Sequence, residues 1–350
     1  MSRFPLFVAT VAFMFAATTI ACDDGAVSVS PGSSSRPGAT SGSADLEDTT
    51  LTVGLGYIPS VQFAQFYRAQ LQGYYQAAGL EITFQNQIDP DLIALLGQGT
   101  VDIGVADGTS IIPAVGQNIP VRYVATIYSK FPNVVVTSAD SGIEEAADLR
   151  DKSIGIPGRY GSSWIMLQAL LDSADMTPDD VEVREYPDFG QSVALKSAQV
   201  DAATGFANNE PVQLADQGFP AYVLTIDEIT PLPGPGLAVG ERTLTDKPNA
   251  VRAFVAATLQ AMREIAENPE VGLEDAITAV PELAADRALQ LSILQATIET
   301  WKSPYTDQHG LGAIDPAAWQ ASLDFMRGLP DSNIPETLTV DELISEDMLP

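Results

Sequence analysis

The chain has 350 residues, 45% of them hydrophobic, a single cysteine and a formal net charge of −29. So acidic a surface argues against nucleic acid and against an anionic membrane surface as partners. One thiol can form neither an internal disulfide nor a cysteine metal cluster.

The N-terminus opens with Arg3, followed by an apolar run from Leu6 to Ala17. About a dozen apolar residues are too few for a membrane-spanning helix, which needs roughly 20, but they suit the core of a signal peptide. The run leads into Thr19-Ile20-Ala21-Cys22. A small residue directly before cysteine resembles a bacterial lipobox, although Thr19 stands where that pattern usually has leucine. Cys22 is thus the expected lipidation site and mature N-terminus, and loss of Arg3 with the leader leaves a net charge of −30. Residues 22–47, rich in Ser, Gly and Pro, cannot bury enough apolar surface to fold and read as a flexible tether.

Beyond the tether, strand and helix patterns alternate. Leu51–Leu55 reads as a strand, Gln62–Ala78 as one amphipathic helix, Glu81–Phe84 as a strand and Asp91–Gly97 as a helix. Val101–Ala106 and Val121–Ile127 read as strands flanking a helix over Thr109–Val115. After Tyr128–Pro132 a second series begins. Val134–Thr137, Ser153–Ile156, Val181–Tyr186, Asp201–Phe206 and Ala221–Ile226 are its expected strands. Glu144–Leu149, Ser162–Leu171 and Gly190–Ser197 are its expected helices. Thr230–Gly236 carries too much proline for regular structure and reads as a return crossover. A helix is expected over Asn249–Glu267, with mostly helical chain to about Arg327. Alternation of this kind predicts parallel sheets faced by helices.

The two series echo each other. Leu95–Ala106 and Leu195–Phe206 share a helix, then Val-Asp, then an apolar strand, and each leads into a polar loop: Asp107–Ser110 in one, Asn208–Glu210 in the other. Two pseudo-equivalent α/β lobes account for the echo.

Tyr57-Ile58-Pro59, Phe63-Ala64, Gly73-Tyr74-Tyr75, Gly99–Gly104 and Ala147–Gly158 resemble, in order, the motifs of solute-binding proteins for thiamine pyrimidine precursors, alkanesulfonates and taurine. The resemblance covers about residues 50–270. Gly158–Trp164 and Asn208–Gln213 are most similar to the vitamin-precursor branch, including its flavin-binding members. The resemblance implies an α/β, two-lobed periplasmic-binding-protein-like fold of type II, each lobe a mixed, mostly parallel sheet flanked by helices, the lobes joined by two crossovers. The expected first lobe is 48–130 with 236–350, and the expected second lobe is 131–235. It also implies a lipid-anchored protein on the extracytoplasmic face of the cell membrane, monomeric, touching the membrane through its anchor only and delivering solute to the permease and ATPase of an ABC importer.

In open α/β sheets, ligands lie outside the carboxyl ends of the strands. The candidate ligand-binding residues are accordingly Tyr57, Gln62, Phe63, Asp107, Thr109, Tyr128, Tyr160, Ser162, Trp164, Phe189, Asn208, Asn209 and Glu210. Aromatic rings hold a flat heterocycle at small entropic cost, and Phe63 also suits a core position. Ser162 or Ser163 can cap the helix that follows, and Asp107, Asn208, Asn209 and Glu210 offer polar partners. A sulfonate site calls for positive charge, and the nearby loops hold only Arg159 and Lys130, which favours an uncharged ligand. Riboflavin stands slightly ahead of a thiamine pyrimidine precursor. A sulfonate or taurine binder, or a surface sensor built on the same fold, are the alternatives.

Enzyme readings find little support. The one histidine, His309, is expected in a loop, and no HExxH pair, nucleophile elbow or Walker loop occurs. A eukaryotic relative makes the thiamine pyrimidine by consuming its own histidine with iron and cysteines. His309 and Cys22 alone cannot serve that chemistry, so neither cofactor nor metal is expected.

Overall fold

The structure is a computed structural model that describes residues 49–86, 92–227, 229–230, 232–329 and 332–350. The leader, the tether and Cys22 lie outside the described residues, as does Asp91. The described residues, from 49 onward, belong to one compact unit.

Two five-stranded sheets organise that unit. The chain opens with β1 (Thr50–Gly54), a 3-10 turn over Val61–Phe63, α1 (Ala64–Leu71), α2 (Tyr74–Ala77) and β2 (Glu81–Gln85). The single helix expected over 62–78 is interrupted because Gly73 takes a left-handed conformation, φ 74°, which only glycine adopts without cost. Next come α3 (Leu92–Gln98), β3 (Ile103–Ala106), α4 (Gly108–Gly116) and β4 (Val121–Thr126).

The chain then crosses to the second sheet. There lie β5 (Asn133–Ser138), β6 (Ser153–Ile156), α5 (Gly161–Asp172), β7 (Glu182–Glu185), α6 (Gln191–Lys196), β8 (Ala202–Phe206), α7 (Glu210–Asp216) and β9 (Ala221–Leu224). The expected helix before β6 is a 3-10 turn at Ala146–Leu149.

A second crossing leads back to β10 (Gly236–Gly240), α8 (Glu241–Asp246), α9 (Pro248–Glu267), α10 (Pro269–Ala279), α11 (Arg287–Thr300), α12 (Pro304–His309), α13 (Pro316–Gly328) and α14 (Val340–Leu343). α9 is amphipathic, and its buried stripe, including Val251, Phe254, Val255, Met262 and Ile265, faces α1 and the first sheet.

The strand orders are β2-β1-β3-β10-β4 and β7-β6-β8-β5-β9. In each sheet the first three strands run parallel, and the fourth, antiparallel to both neighbours, is inserted by the chain as it arrives from the other sheet. Helices cover both faces of both sheets. Each sheet with its own helices makes a lobe.

The sequence echo has a structural cause. Asp102 accepts the Thr52 N–H at 2.8 Å while its own N–H reaches the Thr52 carbonyl at 2.9 Å. Asp201 accepts the Ser153 N–H at 2.8 Å, and its N–H reaches the Ser153 carbonyl at 3.0 Å. The repeated Val-Asp is therefore one device used twice. A buried valine precedes each strand, and the aspartate between them ties the strand's start to the central parallel strand of its lobe.

The two crossovers lie side by side. Phe131 N–H donates to Asp227 Oδ1 at 2.9 Å, and Tyr128 N–H to the Pro235 carbonyl at 2.8 Å. A Cβ at Gly234 would overlap the Tyr128 carbonyl, so the close approach depends on glycine. Ser129 N–H donates to the Thr300 carbonyl at 2.8 Å, which fixes the first crossover to the end of α11.

Candidate functional site

The carboxyl ends of β1, β3, β6 and β8 face the junction between the lobes, and their loops carry most of the candidate residues. After β1, Tyr57 is half-buried, and its ring forms a T-shaped pair with Phe189 from the second lobe, 6.1 Å between centroids and 85° between planes. Phe189 stands at φ 59°, a left-handed backbone that is costly for a bulky residue. The turn is held by its N–H to the Tyr186 carbonyl, 2.9 Å.

Gln62, Tyr128 and Asn208 come together, but mainly with one another. Asn208 has no exposed surface. Its Nδ2 donates to Gln62 Oε1 at 3.0 Å and to Thr297 Oγ1 of α11 at 2.9 Å. Tyr128 Oη donates to the same Gln62 Oε1 at 3.4 Å, and burial pushes the phenol well above its usual range. Thr297 was not anticipated, because its hydroxyl lies inside an ordinary helical stretch and only the fold brings it under Asn208. Phe63 is buried with Phe66 in the first lobe's core, 6.3 Å between centroids, rather than standing free at the cleft wall.

After β3, Asp107 caps α4. Its Oδ1 accepts from Ser110 N–H at 3.0 Å and from Thr109 Oγ1 at 2.5 Å. Thr109, 2% exposed, is occupied by that bond. Burial pushes the Asp107 carboxyl above its ordinary 3.8, against the opposing pull of these donors.

After β6, Tyr160 is 60% exposed and its ring lies across Gly158, where a Cβ would overlap it. The residue at the cap position of α5 is Tyr160, with no side-chain cap, and not Ser162 or Ser163. Both serines lie inside the first turn and accept from Asn133 Nδ2, at 3.3 and 2.9 Å, so they join α5 to the start of β5. Trp164 is half-buried against the second lobe's core, with the Arg159 guanidinium 5.2 Å above its ring. Arg159 also faces Glu185 at 3.6 Å.

After β8, Glu210 begins α7. Its Oε2 accepts the Phe206 N–H at 2.6 Å and its Oε1 the Asn209 amide at 3.4 Å. Asn209 Oδ1 in turn accepts from Gln213 at 2.8 Å. Gly205 permits this, since a Cβ there would come within 2.9 Å of the carboxylate oxygen. Burial raises Glu210 above its ordinary 4.5. Tyr57 is raised by its own burial and then by the Glu210 carboxylate. The loops thus hold two half-buried carboxyls that desolvation keeps from ionising readily, together with Tyr57, Tyr160, Trp164 and Phe189. Four buried amide oxygens, Gln65 Oε1, Asn133 Oδ1, Gln191 Oε1 and Asn208 Oδ1, have no hydrogen-bond partner among the described residues. The arrangement is rich in acceptors and aromatic surface, a combination that suits a flat, neutral molecule carrying hydrogen-bond donors.

His309 ends α12 instead of standing in a loop. It is exposed, its ring stacked on Tyr305 at 4.1 Å and its Nδ1 3.0 Å from the Tyr305 carbonyl. A cavity of about 980 Å³ is lined by both crossovers, with Tyr128, Lys130, Asp227 and Gly234 among its residues, and by Thr300 and Trp319.

Two sheet-based lobes, two adjacent crossovers and a junction at the strand ends define the periplasmic-binding-protein-like class of fold. The structure of the alkanesulfonate-binding protein SsuA from Xanthomonas axonopodis pv. citri bound to MOPS is similar in fold. Its TM-score is 0.67 at 18% identity, covering 85% of this chain and 99% of that one. SsuA from Escherichia coli gives 0.65 at 15%, covering 85% and 92%. The family model described as NMT1/THI5 like matches residues 60–271, and the chain belongs to that family. Riboflavin-binding protein RibY of Chloroflexus aurantiacus is 35% identical over 281 residues, 79% of this chain and 80% of RibY. A 4-amino-5-hydroxymethyl-2-methylpyrimidine phosphate synthase of Aspergillus parasiticus is 27% identical over 234 residues, 62% and 67% respectively.

Proposed function

We propose that this protein is an extracytoplasmic solute-binding lipoprotein of an ABC importer, not an enzyme, and that riboflavin is the solute it holds between its lobes. The observation that carries the reading is the 35% identity to a riboflavin-binding protein across four-fifths of both chains. The site chemistry agrees with it. An isoalloxazine ring needs flat aromatic neighbours, for which Tyr57, Tyr160, Trp164 and Phe189 are the proposed set. Ribityl hydroxyls and the ring imide need acceptors, for which Asp107, Asn208, Asn209 and Glu210 are proposed. Gln62 and Tyr128 support this wall from behind, Thr109 and Ser162 hold its loops, and Phe63 underlies it. A sulfonate would face carboxyls that burial already makes costly to ionise, and Arg159 is turned toward Trp164 and Glu185.

Among the described residues no helix is long and apolar enough to cross a membrane. The proposed attachment is through Cys22, with a permease and an ATPase as partners. Protein purified from its native host is expected to be yellow, with flavin absorbance bands that denaturation releases into the filtrate. A colourless protein that also fails to take up added riboflavin would refute the ligand. Mass spectrometry of the membrane-extracted form should find lipid on Cys22 as the first residue. An unmodified N-terminus elsewhere would remove the anchor from the account.

A further inference from the structure

Asn208 was expected to contact solute, yet both hydrogens of its amide are given to the opposite lobe. The acceptors, Gln62 Oε1 at 3.0 Å and Thr297 Oγ1 at 2.9 Å, belong to the loop after β1 and to α11. Each acceptor is itself held in place. Gln62 Nε2 donates to Ser60 Oγ at 3.3 Å, and Thr297 Oγ1 spends its own hydrogen on the Ile293 carbonyl at 2.8 Å, leaving a lone pair for Asn208. Gln62, Thr297 and Asn208 are 6%, 0% and 0% exposed, so water does not compete for these bonds while the lobes are together.

A second contact reinforces the first. Phe189, in its left-handed turn, makes a T-shaped contact with the Tyr57 ring. Backbone strain of this kind persists where the surroundings over-determine it. Both contacts are made by protein atoms alone, so they favour closure whether or not a solute is bound.

We propose that Asn208 is an interlobe latch, a buried amide of the second lobe that closes onto Gln62 and Thr297 and sets how much of the protein stands closed before any solute arrives. The consequence for binding follows from linkage. A binding-competent state populated at a fraction f weakens apparent affinity by that fraction. An amide whose hydrogens are held by the opposite lobe therefore raises f through protein contacts alone, whatever its oxygen offers a solute. The inference is independent of which solute the cleft takes.

The test is single-molecule energy transfer on ligand-free protein, with dyes at exposed Gln76 and Ser173, one on each lobe, in a Cys22→Ser background. Asn208→Ala removes both bonds, and Thr297→Val removes one from the far side of the junction. Each is expected to lower the closed-to-open ratio about threefold to tenfold, the net worth of one or two hydrogen bonds. Because the two residues share one bond, the double variant should fall no further than Asn208→Ala. Circular dichroism melts check that the variants fold. Should Asn208→Ala fail to fold, Thr297→Val decides alone. A closed fraction unchanged in folded Thr297→Val, or additive losses in the double variant, overturns the latch. A wild-type protein that ignores riboflavin would count against the proposed ligand and leave this result intact.

Discussion

At the scale of single residues, the most consequential group is Glu210. Its half-buried carboxyl packs against Gly205 and desolvation holds it above its ordinary 4.5, so ionisation costs the folded state more than the unfolded chain. The sign follows from linkage. A carboxyl raised in the folded state contributes its stability in full below the unfolded value, and loses it as pH rises through the folded value. Glu210→Gln keeps the acceptor for the Phe206 N–H and removes the charge. Its melting temperature should match wild type near pH 4 and exceed it at pH 8, measured by calorimetry at both values. A wild type that is the more stable at pH 8 would contradict this account of Glu210. Residue-level chemistry was partly legible in the sequence. The Val-Asp echo was visible, and Asp102 and Asp201 now explain it. The serines after Gly161 misled, because capping depends on where the helix starts, and Tyr160 takes that position. Thr297 was invisible, since nothing local marks a helical threonine as the partner of an asparagine 89 residues earlier.

Among the elements, β10 was missed. Gly-Leu-Ala-Val-Gly follows a proline-rich crossover and is only five residues long, with a glycine at each end, so neither length nor periodicity announced a strand. Its pairing is non-local, antiparallel to both β3 and β4, and all five residues are buried. The glycines are there for space. A Cβ at Gly236 would overlap Tyr123 Oη and the Ala125 carbonyl of β4. Gly236→Ala should therefore destabilise the protein by about 1–3 kcal/mol, the usual cost of overpacking. The expected reading is a lowered denaturation midpoint with an unchanged slope. A wild-type midpoint would mean that β4 yields more easily than its place beside β10 suggests. The long helix expected over 62–78 failed for a related reason. Its apolar spacing continues through Gly73, and only the left-handed backbone there breaks it.

For the whole molecule, alternation of strands and helices and the echo of the two halves sufficed to read a two-lobed α/β protein, because parallel sheets covered on both faces leave that pattern in the chain. The antiparallel fourth strand of each sheet, which ties each lobe to the chain arriving from the other, depends on three-dimensional insertion and left no such pattern. The central claim is that the junction of these lobes takes a flat, neutral, donor-bearing solute, riboflavin. Isothermal titration of the purified protein, first stripped of bound small molecules by reversible denaturation, tests it most directly. Riboflavin should bind at one per chain with a negative heat-capacity change from buried ring surface, and taurine or an alkanesulfonate should give no heat. Saturable sulfonate binding with no response to riboflavin would contradict the account.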